Sequence, residues 1–119
     1  MGQYFYVVNL DKRQYLHPHT LGNGLKAWEI AVGKPGTMAA LALLLVDNDD
    51  FRLPKADPLI GSWAGDRIVM AGDYGPRGDG MNVHEMAEES FENISLRMRT
   101  LLESEDWVKQ RMGKRWDSD

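Results

Sequence analysis

The sequence predicts an α+β fold in one small domain, with an N-terminal β-hairpin, a central antiparallel or mixed sheet and C-terminal helices. Three observations carry this. The chain opens with two short strand-like segments joined by turn residues, a hairpin rather than a β–α–β unit. A further stretch of strand composition lies near the middle, within residues 59–74. The last third repeats apolar residues at helical spacing. The length of 119 residues fits a single domain over 1–119, with 104–119 as an appended helix and basic tail.

Taken in order, residues 4–10 (YFYVVNL) are aromatic and β-branched, the composition of a strand. Residues 9–12 (NLDK) supply turn chemistry, and 13–16 (RQYL) read as the returning strand. Pro18 and the run Gly22, Asn23, Gly24 then interrupt the pattern. Leu21, Leu25, Trp28 and Val32 recur at helical spacing, which predicts a helix over 22–32 ending near Gly33. Residues 37–46 (TMAALALLLV) read as a buried helix that Thr37 would cap, with a buried strand as the alternative. Residues 47–58 (DNDDFRLPKADP) read as a surface loop.

Residues 59–74 read as two short strands, or one strand with a lead-in. Within them the string Ala-Gly-Asp occurs twice, at 64–66 and 71–73, around Ile68, Val69 and Met70. That centre is apolar on both faces, so the strand is expected to be covered on both sides. The two glycines would permit a tight turn or a close backbone approach. Residues 75–80 (GPRGDG) read as a loop, and their Arg-Gly-Asp as loop chemistry rather than an adhesion signal. Asn82 and Glu85 have the spacing of a capping box. The apolar positions from Val83 to Leu102 then predict one helix of about 20 residues, or two with a break near Asn93. Ser104 could cap a further helix through Trp107, Val108 and Met112.

Composition narrows the function classes. With 43% hydrophobic and 27% charged residues the chain reads as globular. Fourteen basic against 18 acidic residues give a net charge of −4, which argues against a nucleic-acid partner. The absence of cysteine removes disulfides, thiol nucleophiles and thiolate metal ligands. The opening residues do not read as a signal peptide, and Tyr6 stands where a myristoylation signal wants Ser or Thr. The longest apolar run, residues 38–46, is far short of the ~20 needed to span a bilayer. A cytoplasmic protein without a membrane partner is expected.

Several constellations could carry chemistry. Lys12 and Arg67 could receive an anionic group, with Trp63 or Tyr15 stacking on a ring. Asp66 would orient Arg67 or accept from the ligand, and His19 would complete the wall. Gly22, Asn23 and Gly24 could add backbone N–H groups, although no nucleotide-binding fingerprint is present. His17 and His19 flank Pro18; a metal would need a third ligand, for which His84 or one of the aspartates is the candidate, but no motif supplies it and no metal is expected. Asp66 and Asp73 are odd-spaced and would project to opposite faces of a strand, which argues against an acid/base dyad. No nucleophile motif appears.

The opening residues 1–29, the string GTMAALALLL and the block GSWAGDRIVMAGDY resemble a small uncharacterised family of bacterial and phage proteins. The family pattern is an MGQYY-type start, then NLDK, then a WAGDR-IV-GDY block. The resemblance covers roughly residues 1–46 and 59–75, and it implies no activity. It marks Asn9 to Lys12, Tyr15, His19 and Trp63 to Arg67 as the shared signature. A phage setting would make a host signalling nucleotide one concrete ligand.

The expected function is therefore a small ligand-binding or regulatory domain for an anionic or nucleotide-like molecule. Its site would comprise Lys12, Tyr15, His19, Trp63, Asp66 and Arg67, near the ends of the central strands. One alternative is a hydrolase or transferase acting on a phosphate or ester, with Asp66, His17 or His19 in acid/base roles. Another is a protein-interaction module using the C-terminal helix and basic tail, with a homo-oligomer as one outcome. Cofactors are left open.

Overall fold

Alternating β-branched and aromatic residues with turn chemistry behind them form the hairpin. Strand β1, Phe5–Asn9, pairs antiparallel with β2, Gln14–Leu16, in the register Val7 to Leu16 and Val8 to Tyr15. Asn9 shapes the turn, because its Oδ1 accepts from the backbone N–H of Asp11 and of Lys12 at 2.9 and 2.8 Å. The computed structural model describes residues 3–47, 57–78, 80–106 and 110. Most of the expected surface loop and the helix expected beyond Ser104 lie outside them.

Strand β3, Ile68–Gly72, adds antiparallel to the other side of β1, and β4, Glu92–Asn93, adds parallel to β2. The sheet order is β3-β1-β2-β4, so the fold is α+β with a mixed four-stranded sheet. A lead-in of turns precedes β3. It is pinned to the end of the preceding helix by Gly61 N–H on the Leu43 carbonyl and Trp63 N–H on the Leu44 carbonyl, at 2.8 and 2.9 Å. Gly65 makes the last of these turns at φ 82°, a left-handed backbone that glycine adopts without steric cost.

One face of the sheet carries the larger core. Val7 and Leu16 meet Leu21, Leu44, Trp63, Ile94 and Met98 there, all at most 1% exposed. The helices on this face are α2, Gly36–Leu45, and α4, Ser95–Glu103. On the opposite face Tyr6, Val8, Tyr15 and Ala71 pack against Ala87 of α3, Val83–Ser90. Both capping-box bonds of α3 are present, between Asn82 and Glu85. The break in the C-terminal helical pattern falls at Asn93, because residues 92–93 leave the helix to pair with Gln14 and Tyr15.

Four expectations need correcting. The helix expected over 22–32 is α1, Ala27–Val32, preceded by a short 3-10 helix, Pro18–Leu21. Its apolar stripe points outward: Trp28 and Val32 are 76% and 73% exposed, whereas Ile30 is buried. Thr37 is not a cap. It lies inside α2, and its N–H donates to the buried Asn23 side chain at 2.7 Å. Finally, β3 is not covered on both faces, because it is the edge strand. Val69 and Met70 remain 36% and 39% exposed.

Candidate functional site

The six residues expected to line one pocket divide between the two faces of the sheet. Lys12, Asp66 and Arg67 do come together, with Asp11 and Asn9, where the hairpin turn meets the start of β3. Lys12 Nζ lies 2.6 Å from Asp66 Oδ2, which also accepts from Asn9 Nδ2 at 2.9 Å. Asp11 accepts from the Arg67 backbone N–H at 2.7 Å and from its guanidinium at 2.8 and 2.9 Å. These contacts hold both carboxyls below the usual range. The leading cause for Asp11 is the Arg67 backbone, and for Asp66 the Asn9 side chain, followed by Lys12. The strings NLDK and GDR are thus two halves of one clasp joining hairpin and β3. Its two cations already face two carboxylates.

Trp63 lies beneath this clasp, fully buried, with its indole N–H donating to Gln14 Oε1 at 2.8 Å. A ring so enclosed offers no face for stacking. Tyr15 lies on the opposite face of the sheet, 7% exposed, and His19 is on that side as well, near His17.

That opposite face holds a cluster the sequence did not reveal as a unit. Two of the chain's three histidines, His17 and His84, flank Tyr6, and the third, His19, lies beside His17. The His84 ring stacks on Tyr6 at 4.0 Å and 13°. Tyr15 and His17 each sit 5.0 Å from it, tilted. His19 lies 6.3 Å beyond His17. The Tyr6 hydroxyl donates to Glu88 Oε2 at 2.5 Å. Burial pushes the Tyr6 phenol well above its usual range, and the Glu88 bond adds to the shift. Burial also raises Tyr15, then the Glu88 charge does, with Asn93 opposing. His17 is lowered by burial first and by His19 second, so its imidazole is held toward the neutral form. His17 Nδ1 and His84 Nε2 are buried without a hydrogen-bond partner, and His84 is 8% exposed. Among the described residues, no group of three or more His, Cys, Asp or Glu is arranged to hold a metal ion.

The third feature is the outer edge of β3. In an antiparallel ladder, alternate residues of a strand bond to each neighbour. Leu10 N–H donates to the Arg67 carbonyl at 3.0 Å, and Asp73 N–H to that of Tyr4 at 2.9 Å. These bonds fix the phase. Arg67, Val69, Ala71 and Asp73 turn their polar backbone groups to β1, while Ile68, Met70 and Gly72 turn theirs outward. Beside this edge an open cleft of about 240 Å³ is lined by Phe5, Val69, Met70, Gly72, Pro76 and Val83, among others. The strand carries no charge and no proline. Its opposite number, β4, is two residues long and bears Glu92.

Sequence reasoning missed Tyr6, His84 and Glu88 as a set because Tyr6 lies about 80 residues before the other two, which share α3. The one available signal was that three histidines are few enough to ask whether they meet. No helix among the described residues is long and apolar enough to cross a membrane. The chain matches no protein-family model, no curated protein and no solved structure.

Proposed function

We propose that this chain is a binding domain that works by strand addition, taking an extended polypeptide segment along the outer edge of β3. The observation that supports it is the edge itself, which no described residue covers. Ile68, Met70 and Gly72 direct backbone donors and acceptors outward, beside exposed Val69 and Met70 and an apolar cleft. Edge strands are ordinarily shielded by charge, proline or brevity. β4 has that shielding and β3 has none. A guest strand would gain main-chain hydrogen bonds along the edge and side-chain contacts in the cleft.

Met70→Pro is the discriminating variant. It removes an outward N–H and leaves the β1 ladder intact, because Met70 does not bond to β1. Selection from a library of displayed random nonapeptides should yield binders with alternating apolar positions. Their binding should be lost in Met70→Pro while the circular dichroism spectrum is kept. If no selected peptide is sensitive to Met70→Pro, the reading is overturned.

A second reading keeps a small anionic molecule as the ligand and moves it to the histidine cluster. His84 Nε2, buried and unpartnered, favours it. Lys12 and Arg67 are each already paired with a carboxylate, Asp66 and Asp11, which lessens what they offer a small anion. Inorganic phosphate, titrated at pH 6, should shift the ring resonances of His84 and His17 in NMR spectra. Unmoved rings would exclude phosphate-type anions from this place.

A further inference from the structure

We infer that the segment taken by the edge of β3 is β3 of a second copy of this chain, paired antiparallel about a two-fold axis at Met70. This rests on the strand-addition reading and names its occupant.

The strand is self-complementary in three respects. The first is the backbone. With the axis at Met70, its outward N–H and C=O exchange two bonds with those of the second Met70. Ile68 then faces Gly72 of the other copy, and these too are outward-directed residues. The Gly72 carbonyl already accepts from Gly75 N–H at 2.9 Å, and its other lone pair remains for the pairing. A register that set an odd residue against an even one would oppose outward groups to inward ones, so the axis must pass through a residue.

The second is charge. Arg67 lies just before the strand and Asp73 just after it, and the axis at Met70 sets each opposite the other across the interface. Two ion pairs result, one at each end of the joint ladder. Both side chains already have partners in their own chain: Arg67 pairs with Asp11 while 73% exposed, and Asp73 Oδ1 accepts from the Tyr4 N–H at 3.0 Å. The new pair would form through the guanidinium donors and the Asp73 Oδ2 that these bonds leave over. Moving the axis to Val69 would place Arg67 against Ala71 and Gly72 against Asp66, and both ion pairs would be lost. Charge therefore selects Met70 from the registers that the backbone permits.

The third is the apolar surface. Residues directly opposite one another in an antiparallel pair share a face. Met70 therefore meets Met70 on the side of the larger core, and Val69 meets Ala71 on the side of α3. These contacts cover the two apolar side chains that β3 leaves 36% and 39% exposed. The product is one continuous eight-stranded sheet with a closed two-fold interface.

The test is light scattering over a range of protein concentration on four samples: wild type, Met70→Pro, Arg67→Asp and Asp73→Lys. Wild type should show a monomer–dimer equilibrium, and Met70→Pro should weaken it on the order of 100-fold by removing both central bonds. Arg67→Asp and Asp73→Lys should each weaken it about 30-fold at low salt, since each turns two attractions into repulsions. An equimolar mixture of these two variants should associate again, because in the mixed pair every charge meets its opposite. Both variants must keep the wild-type circular dichroism spectrum, because Arg67→Asp also removes the guanidinium contacts with Asp11; reassociation of the folded pair then isolates the charge effect.

A wild type that stays monomeric at every concentration overturns the inference. So does a dimer that survives Met70→Pro, or a mixture that fails to reassociate. A monomeric wild type that still binds displayed peptides in a Met70→Pro-sensitive way would overturn only the second-copy occupant. If peptide binding fails as well, the strand-addition reading goes with it.

Discussion

At the scale of single residues, the same side-chain chemistry has opposite uses on the two faces of the sheet. Asn9 is fully buried, yet each of its polar atoms is satisfied by the turn or by Asp66. His84 is almost as buried, yet its Nε2 has no partner. The first pattern is that of a structural residue, and the second leaves polar capacity unspent. His17 carries a consequence for pH. Burial holds its imidazole below the usual histidine value of about 6.5, so the unfolded chain binds the proton more readily. Its contribution is complete above about pH 6.5 and is lost as the pH falls. The groups around it are His19, whose charge also disfavours protonation, His84, which acts in the same sense, and Glu88, which opposes them. Asp11 and Asp66 carry the same sign, but their window opens only near the ordinary aspartate value of about 3.9 and below. The melting temperature should therefore fall between pH 6.5 and pH 5, and His17→Phe should flatten that slope. An equal slope in the variant would show that the acid sensitivity lies elsewhere.

At the scale of elements, what the sequence made legible was whatever is decided locally. The hairpin follows from YFYVVN and the turn behind it, and α3 from a capping box that its own residues complete. What depends on distant partners could not be read. The start of α2 is capped by Asn23, which lies 14 residues upstream and inside the protein. Asn23 Nδ2 also holds the Lys34 carbonyl at 2.8 Å, so one side chain sets the joint between α1 and α2. Strand β4 is two residues without a period, and it exists because Glu92 and Ile94 N–H groups reach the carbonyls of Arg13 and Tyr15. Sheet order was equally hidden. Ile68, Val69 and Met70 have the composition of a buried central strand, and only the order β3-β1-β2-β4 makes them an edge. The candidate site shows the same division. The residues of the clasp were found, and their mutual pairing was not. Trp63 and Tyr15 were assigned to one wall because nothing local says which face of a sheet a side chain will take.

At the scale of the whole molecule, the two faces are unequally built. Among the described residues, the larger core joins twelve buried residues from both ends of the chain, whereas the smaller joins five, Ala87 of the eight-residue α3 among them. Apolar burial scales with area removed from water, so the two layers cannot be equally hard to open. Detaching α3 would expose Ala87 and the Tyr6 cluster but leave Val7, Leu16 and Trp63 covered by α2 and α4. The cheaper opening would also separate Tyr6 from Glu88 and His84, and it would free the Tyr6, His17 and His84 rings to meet a ligand. A sub-global opening of this kind is visible in native-state hydrogen exchange. The backbone amides of α3 from Met86 to Ser90 should exchange with a lower opening free energy and a weaker denaturant dependence than those of Val7 and Val8. The α4 amides of Met98 and Leu101 should follow Val7, because they belong to the same core. If α3 instead exchanges only with β1, at the same free energy and slope, the sheet and both helical layers open as one cooperative unit. The histidine cluster would then be reachable only through global unfolding. In that case the proposed strand addition at the edge of β3, which needs no opening at all, would be the one of the two readings left accessible in the native state.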